Sequence, residues 1–150
     1  MAKTNKGSTH WVCSTAQPSD LDQSGYEGLA WVQVKQVGSF GESGRNTNIV
    51  SYDTLETVVS LKDKGITNAG DPPMEVARAH DDPGQIILRT FGGPGSDDIC
   101  ALKEIKRDGT VVYRRGVVAG PVRPGGRNED FDLEVFTIGL LQDEIVVNPV

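Results

Sequence analysis

Four residues of this chain carry the donor atoms of a structural zinc site: His10, Cys13, His80 and Cys100. Thiolates and imidazoles hold Zn2+ tetrahedrally, and such sites draw their ligands in closely spaced pairs. His10 and Cys13 stand close, but His80 and Cys100 each lack a neighbouring partner. They read as buried small hydrophobes and surface histidines, and no metal is expected. His80, Asp81 and Asp82 set an imidazole beside two carboxylates, the ingredients of general acid–base catalysis. One of these acids already serves as a helix cap, and no nucleophile motif accompanies them. Gly38, Gly41 and Gly44 in GSFGESG lack both the GxGxxG spacing and the Lys-Ser/Thr that complete a phosphate loop, so they read as turn residues. Arg114, Arg115, Arg123 and Arg127 gather around one strand and loop. A single-stranded nucleic-acid site would interleave aromatics there, and only Tyr113 is near. These arginines read as partners for acids, within the subunit or across an interface. The chain is therefore expected not to be an enzyme and to need no cofactor.

The acids are more informative. Between Glu129 and Glu144 there are six acidic residues and no Lys or Arg. In DFDLE, Asp130, Asp132 and Glu134 fall on one strand face, and Phe131, Leu133 and Val135 on the other. The acidic face reads as a solvated surface or, more sharply, as one that repels a polyanion.

What must position these residues is one domain of ordinary size: 150 residues, 37% hydrophobic, with 18 Gly and 8 Pro for turns. The 15 basic and 21 acidic residues leave a net charge of −6, which argues against a surface built to grip nucleic acid. No run approaches the ~20 apolar residues of a membrane span, and MAKTNKGST (residues 1–9) has no apolar core, so no signal peptide is read. These nine residues read as a flexible N-terminal arm, and 10–150 as a single domain.

One helix is fully punctuated. In HDDPGQIILRTFGG (80–93), Asp82 can N-cap, Pro83 suits the first helical position, and Gln85 completes a capping-box pattern. Ile87, Leu88 and Phe91 form a narrow apolar stripe. Gly92 and Gly93 are expected to supply a left-handed C-cap before Pro94. So short a helix must lay its stripe on something else. A helical turn is read within 19–30, capped by Ser19 or Asp20. The rest is strand: 10–16, 31–40, 73–80, 98–106, 111–119, 130–140 and 144–148, within a total of about six to eight. Arg107-Asp108-Gly109-Thr110 signals a hairpin with a type I′ turn. Residues 41–72 are polar and turn-rich at both ends, with β-branched residues between. They read as a long loop that either holds strands of its own or is ordered by a partner. The apolar part singled out within it is Tyr52, Leu55, Val58, Val59 and Leu61. The fold class is thus mainly β: two packed antiparallel sheets, sandwich- or barrel-like, with one short flanking helix.

From about residue 20 onward, the order of pieces resembles the major tail tube proteins of long, non-contractile-tailed bacteriophages. The stretch GYEGLAWVQVKQVGSFGESGRNTNIVSYDTLET is similar to that family's first half, through Val34, Val37, Gly41, Gly44, Val50 and Leu55. Asp82, Gly84, Gln85, Leu88 and Arg89 match its D-x-G-Q-x-x-L-R stretch. Residues 92–98 (GGPGSDD) depart from it, and the first dozen residues match nothing in it. The resemblance implies hexameric rings stacked into a tube in a virion tail, from subunits made in the host cytoplasm. It implies a tape measure protein in the lumen, DNA in transit, no membrane, and tail terminator and distal tail or baseplate proteins at the ends. In that setting the 41–72 loop would make inter-ring contacts, and Asp130, Asp132 and Glu134 would face the lumen, where negative charge lets DNA slide. The alternatives are a tube protein of a contractile injection machine (contractile phage tail or type VI secretion) and a monomeric β-barrel binding module.

Overall fold

A computed structural model describes residues 2–150; Met1, part of the expected arm, lies outside the described residues. Among these residues there are ten strands and two helices. They are β1 (Thr9–Cys13), α1 (Gln23–Glu27), β2 (Trp31–Val34), β3 (Val37–Phe40), β4 (Asn46–Tyr52), β5 (Leu61–Asn68), β6 (Pro73–Ala77), α2 (Pro83–Phe91), β7 (Ile99–Ile105), β8 (Val111–Val122), β9 (Leu133–Leu140) and β10 (Ile145–Val147). The chain is mainly β, in two antiparallel sheets of eight and two strands.

The large sheet runs β2-β1-β7-β8-β9-β6-β3, with β10 continuing alongside β8. Its two end strands are neighbours in sequence, separated only by Lys35 and Gln36. The alternation read as a single strand over 31–40 therefore breaks at a corner, and Gln36 takes a positive φ of 64° there. Because one bent segment supplies both ends, the sheet must curl until its ends meet at that corner. Inside the curl lie Val12, Met74, Val76, Leu102, Phe136 and Ile138, closed over by Leu88 and Phe91 of α2, with Ile87 packed alongside. On the opposite face, Cys13, Tyr26, Ala101 and Tyr113 form a second cluster, with Tyr26 stacked on Tyr113 at 5.0 Å. Strands β1 and β7 are thus covered on both faces, which explains their near-continuous burial.

Local readings need correction at several points. The N-cap of α1 is Asp22, whose side chain accepts from Gly25 N–H; neither Ser19 nor Asp20 fills that role. Gly92 caps α2 in the right-handed region and is glycine for a different reason. A Cβ there would lie 2.4 Å from the Gly120 oxygen. The β7–β8 turn is not type I′, because only Gly109 has positive φ; the Lys106 oxygen accepts from Gly109 N–H, the pattern of a type I turn followed by a left-handed glycine. Thr9 opens β1, so the arm ends one residue earlier than read.

Candidate assembly surface

Helix α2 is the fastener of the fold. Asp82 accepts from Gln85 N–H at 3.1 Å, as an N-cap should, and also from Lys35 N–H at 3.2 Å. The Gln85 side chain does not complete the capping box. It is fully buried and donates to the oxygens of Lys35 (2.9 Å) and Ala77 (3.0 Å), while accepting from Ala79 N–H and Arg89. One amide thus joins the corner of the bent strand, the end of β6 and the helix. Gly84 allows this approach, since a Cβ would sit 2.4 Å from the Gln33 oxygen.

Glu134 overturns the acidic-face reading. It is wholly buried and shares its strand face with Phe136, Ile138 and Leu140. Its Oε1 accepts from Arg89 Nε at 2.9 Å, and its Oε2 lies 3.0 Å from Arg123, an ion pair without hydrogen-bond geometry. Strand β9 begins only at Leu133, after a turn in which Asp130 accepts from Arg127 N–H. Alternation does not carry back through that turn, so Phe131 is 81% exposed between exposed Asp130 and Asp132. The three acids do not form one row, and the lumen-facing assignment loses its geometric premise.

Three of the four arginines find acids within the chain. Arg114 pairs with Glu104 and Glu144, each at 3.1 Å, and Arg115 with Asp20; both arginines are buried. Arg123 serves Glu134. Of the zinc candidates, Cys13 and Cys100 come together, with Cys100 Sγ 3.9 Å from the Cys13 oxygen, but among the described residues no group of three or more His, Cys, Asp or Glu could hold a metal. Cys13 and Cys100 are buried free thiols, and burial pushes the Cys100 thiol up to about 12. His10 is buried against Phe40, 5.2 Å between rings, and its pKa is lowered chiefly by that burial. His80 is exposed beside exposed Asp81. No helix among the described residues is long and apolar enough to cross a membrane.

The segment expected as a long loop, 41–72, is the β4–β5 hairpin. It leaves the body where β3 ends and returns where β6 begins, held by Gly41 N–H to the Pro73 oxygen and Gly44 N–H to the Ala69 oxygen. Beyond that root, among the described residues, its strands pair only with each other. Every residue of β4 and β5 except Thr47 is exposed, and both outer edges are unpaired. Tyr52, Leu55, Val58, Val59 and Leu61 are all exposed, Leu55 and Val58 almost completely. Register sorts the faces: Ile49 opposite Lys64 and Ser51 opposite Lys62 on one, Val50 opposite Asp63 and Tyr52 opposite Leu61 on the other. Sequence reasoning missed Ile49, Val50 and Ile66 as members of this surface, and missed exposed Val122 and Phe131 at the other end of the body. The period-2 signal of β4 was weak because no face of this hairpin is buried by its own chain.

No protein-family model and no curated protein matches the sequence. Among solved structures, the chain is similar to one in the cryo-EM structure of the anti-feeding prophage baseplate, six-fold symmetrised. The TM-score is 0.56 at 12% identity, over 99% of this chain and 98% of that one. The likeness is one of fold, and it runs the whole length of both chains.

Proposed function

We propose that this chain is a structural subunit of a bacteriophage tail tube, a building block and not an enzyme. It assembles with itself into hexameric rings that stack into a hollow tube, holding a tape measure protein and conducting DNA at infection. The observation that carries this reading is the β4–β5 hairpin. An isolated two-stranded hairpin is at best marginally stable in water, and exposed apolar strands with free edges invite pairing with another chain. A monomer would hold a liability there; an assembling subunit holds a connector, with Tyr52, Leu55, Val58, Val59 and Leu61 as its apolar contact between rings. The end-to-end likeness to a chain of a six-fold baseplate agrees with a repeating subunit. The net charge of −6 suits a conduit that must not bind phosphate. A second reading is favoured by the neighbour itself: a tube protein of a contractile injection machine. A sheath protein encoded alongside would favour that machine.

Electron microscopy of the purified protein tests the proposal, with rings and tubes as the expected result. Amide exchange should be fast across 46–68 in free subunits and slow in tubes. Monodisperse monomers at high concentration, with no tubes when tail initiators are supplied, would overturn it.

A further inference from the structure

The hairpin and the Phe131 loop lie at opposite ends of the same strand. Leu140, at one end of β9, bonds to the Gly70 oxygen at the hairpin root. Leu133, at the other end, stands two residues after Phe131, and Val122 is paired with Val135 on the same strand. Eight residues of strand separate these ends by roughly 25 Å. The body therefore exposes apolar residues at both ends of β9: the hairpin beyond one end, and Val122 and Phe131 at the other.

We propose that they are the two halves of one contact between copies of this chain, an inference that rests on the tube reading. The hairpin tip of one copy (Leu55, Val58) docks on Val122 and Phe131 of the next. The charges around the two halves are opposite in sign, as docking requires. Lys62 and Lys64 share one hairpin face, and Glu129, Asp130 and Asp132 flank Phe131 as exposed acids. The turn acids Asp53 and Glu56 meet exposed Arg127 of the same acceptor loop. A contact between two different patches is head-to-tail, so it does not close on itself as a two-fold dimer does. It propagates, and repetition along β9 gives a stack. The exposure of Phe131, 81% between exposed Asp130 and Asp132, is what a docking anchor needs.

The test uses full-length protein. Leu55→Cys subunits mixed with Phe131→Cys subunits should be joined by a short bis-maleimide, because both native cysteines are buried. Phe131→Asp should raise the concentration needed for stacking by about tenfold or more, as loss of an interface anchor does, with a nearly unchanged melting curve, since Phe131 is 81% exposed. Lys62→Glu with Lys64→Glu should weaken stacking, and Asp130→Lys with Asp132→Lys should restore it. Tubes of normal stability from Phe131→Asp, with no cross-link between the two cysteine variants, would overturn this pairing and leave the tube reading intact. A wild-type protein that never assembles would overturn both.

Discussion

The side-chain amide of Gln85 donates to the main-chain oxygen of Lys35, 2.9 Å away and fifty residues earlier in the chain. Through this bond the first turn of α2 grips the corner at which the sheet's two ends meet. Gln85→Leu would leave the Lys35 and Ala77 oxygens and the Ala79 N–H short of partners. Unpaired buried groups cost about 1–3 kcal/mol each and add imperfectly. A loss of about 3 kcal/mol in urea melts is expected; a loss near zero would show that the corner holds without the amide.

Helix α2 also contributes by burial. Phe91→Ala should cost about 3–5 kcal/mol, the usual range for deleting a buried aromatic. Asp82→Ala should cost about 1–2 kcal/mol, because it removes a cap that also binds Lys35. Denaturant midpoints of the soluble subunit would give both values.

Glu134 is the sharpest test of a buried charge. Glu134→Ala would strand Arg89 in a partly buried site, at a cost of about 3–5 kcal/mol. Replacing both partners, as in Glu134→Leu with Arg89→Met, should recover most of that loss, since apolar pairs often substitute for buried ion pairs. Thermal melts of the two variants side by side would decide; equal melting temperatures would contradict it.

His10 should make stability depend on pH. Burial lowers its pKa below the ordinary 6.5, with Glu104 opposing and Arg114 reinforcing the shift. The unfolded chain then takes up the proton more readily than the folded one. The contribution is fully present above 6.5 and fades as pH falls below it toward the folded value. His10→Gln cannot titrate, so its melting temperature should fall less steeply between pH 7 and pH 5 than that of wild type. Parallel slopes would remove His10 from the account.

Much of the fold was legible because its signals are local. Asp82, Pro83 and the stripe Leu88–Phe91 announce α2 without any tertiary knowledge, and the Asp108-Gly109 turn marks the β7–β8 hairpin, though not its turn type. What escaped depended on the rest of the chain. Gln36 bends a strand whose pattern reads as continuous, because the bend is imposed by Asp82 and Gln85 some fifty residues later. Glu134 looks like a surface acid, and only Arg89 and Arg123, brought in from other elements, make its burial tolerable. Phe131 looks like core and is not, because its neighbours form a turn. The assembly surface was half visible: apolar residues of 41–72 stood out, and strands within it were one of two readings, but sequence did not show that these strands form a hairpin exposed on both faces.

The hairpin's two legs are β3 and β6, which are paired with each other. A pull on the hairpin from a neighbouring subunit would therefore run down both legs together, along the strands. The β6–β9 ladder would be loaded lengthwise, so its hydrogen bonds share the tension and do not open one at a time. At the far end of those legs stand Lys35, Ala77 and the Gln85 amide that ties them to α2. The subunit is thus a tensile link whose anchor, the corner held by Asp82 and Gln85, sits opposite its hook.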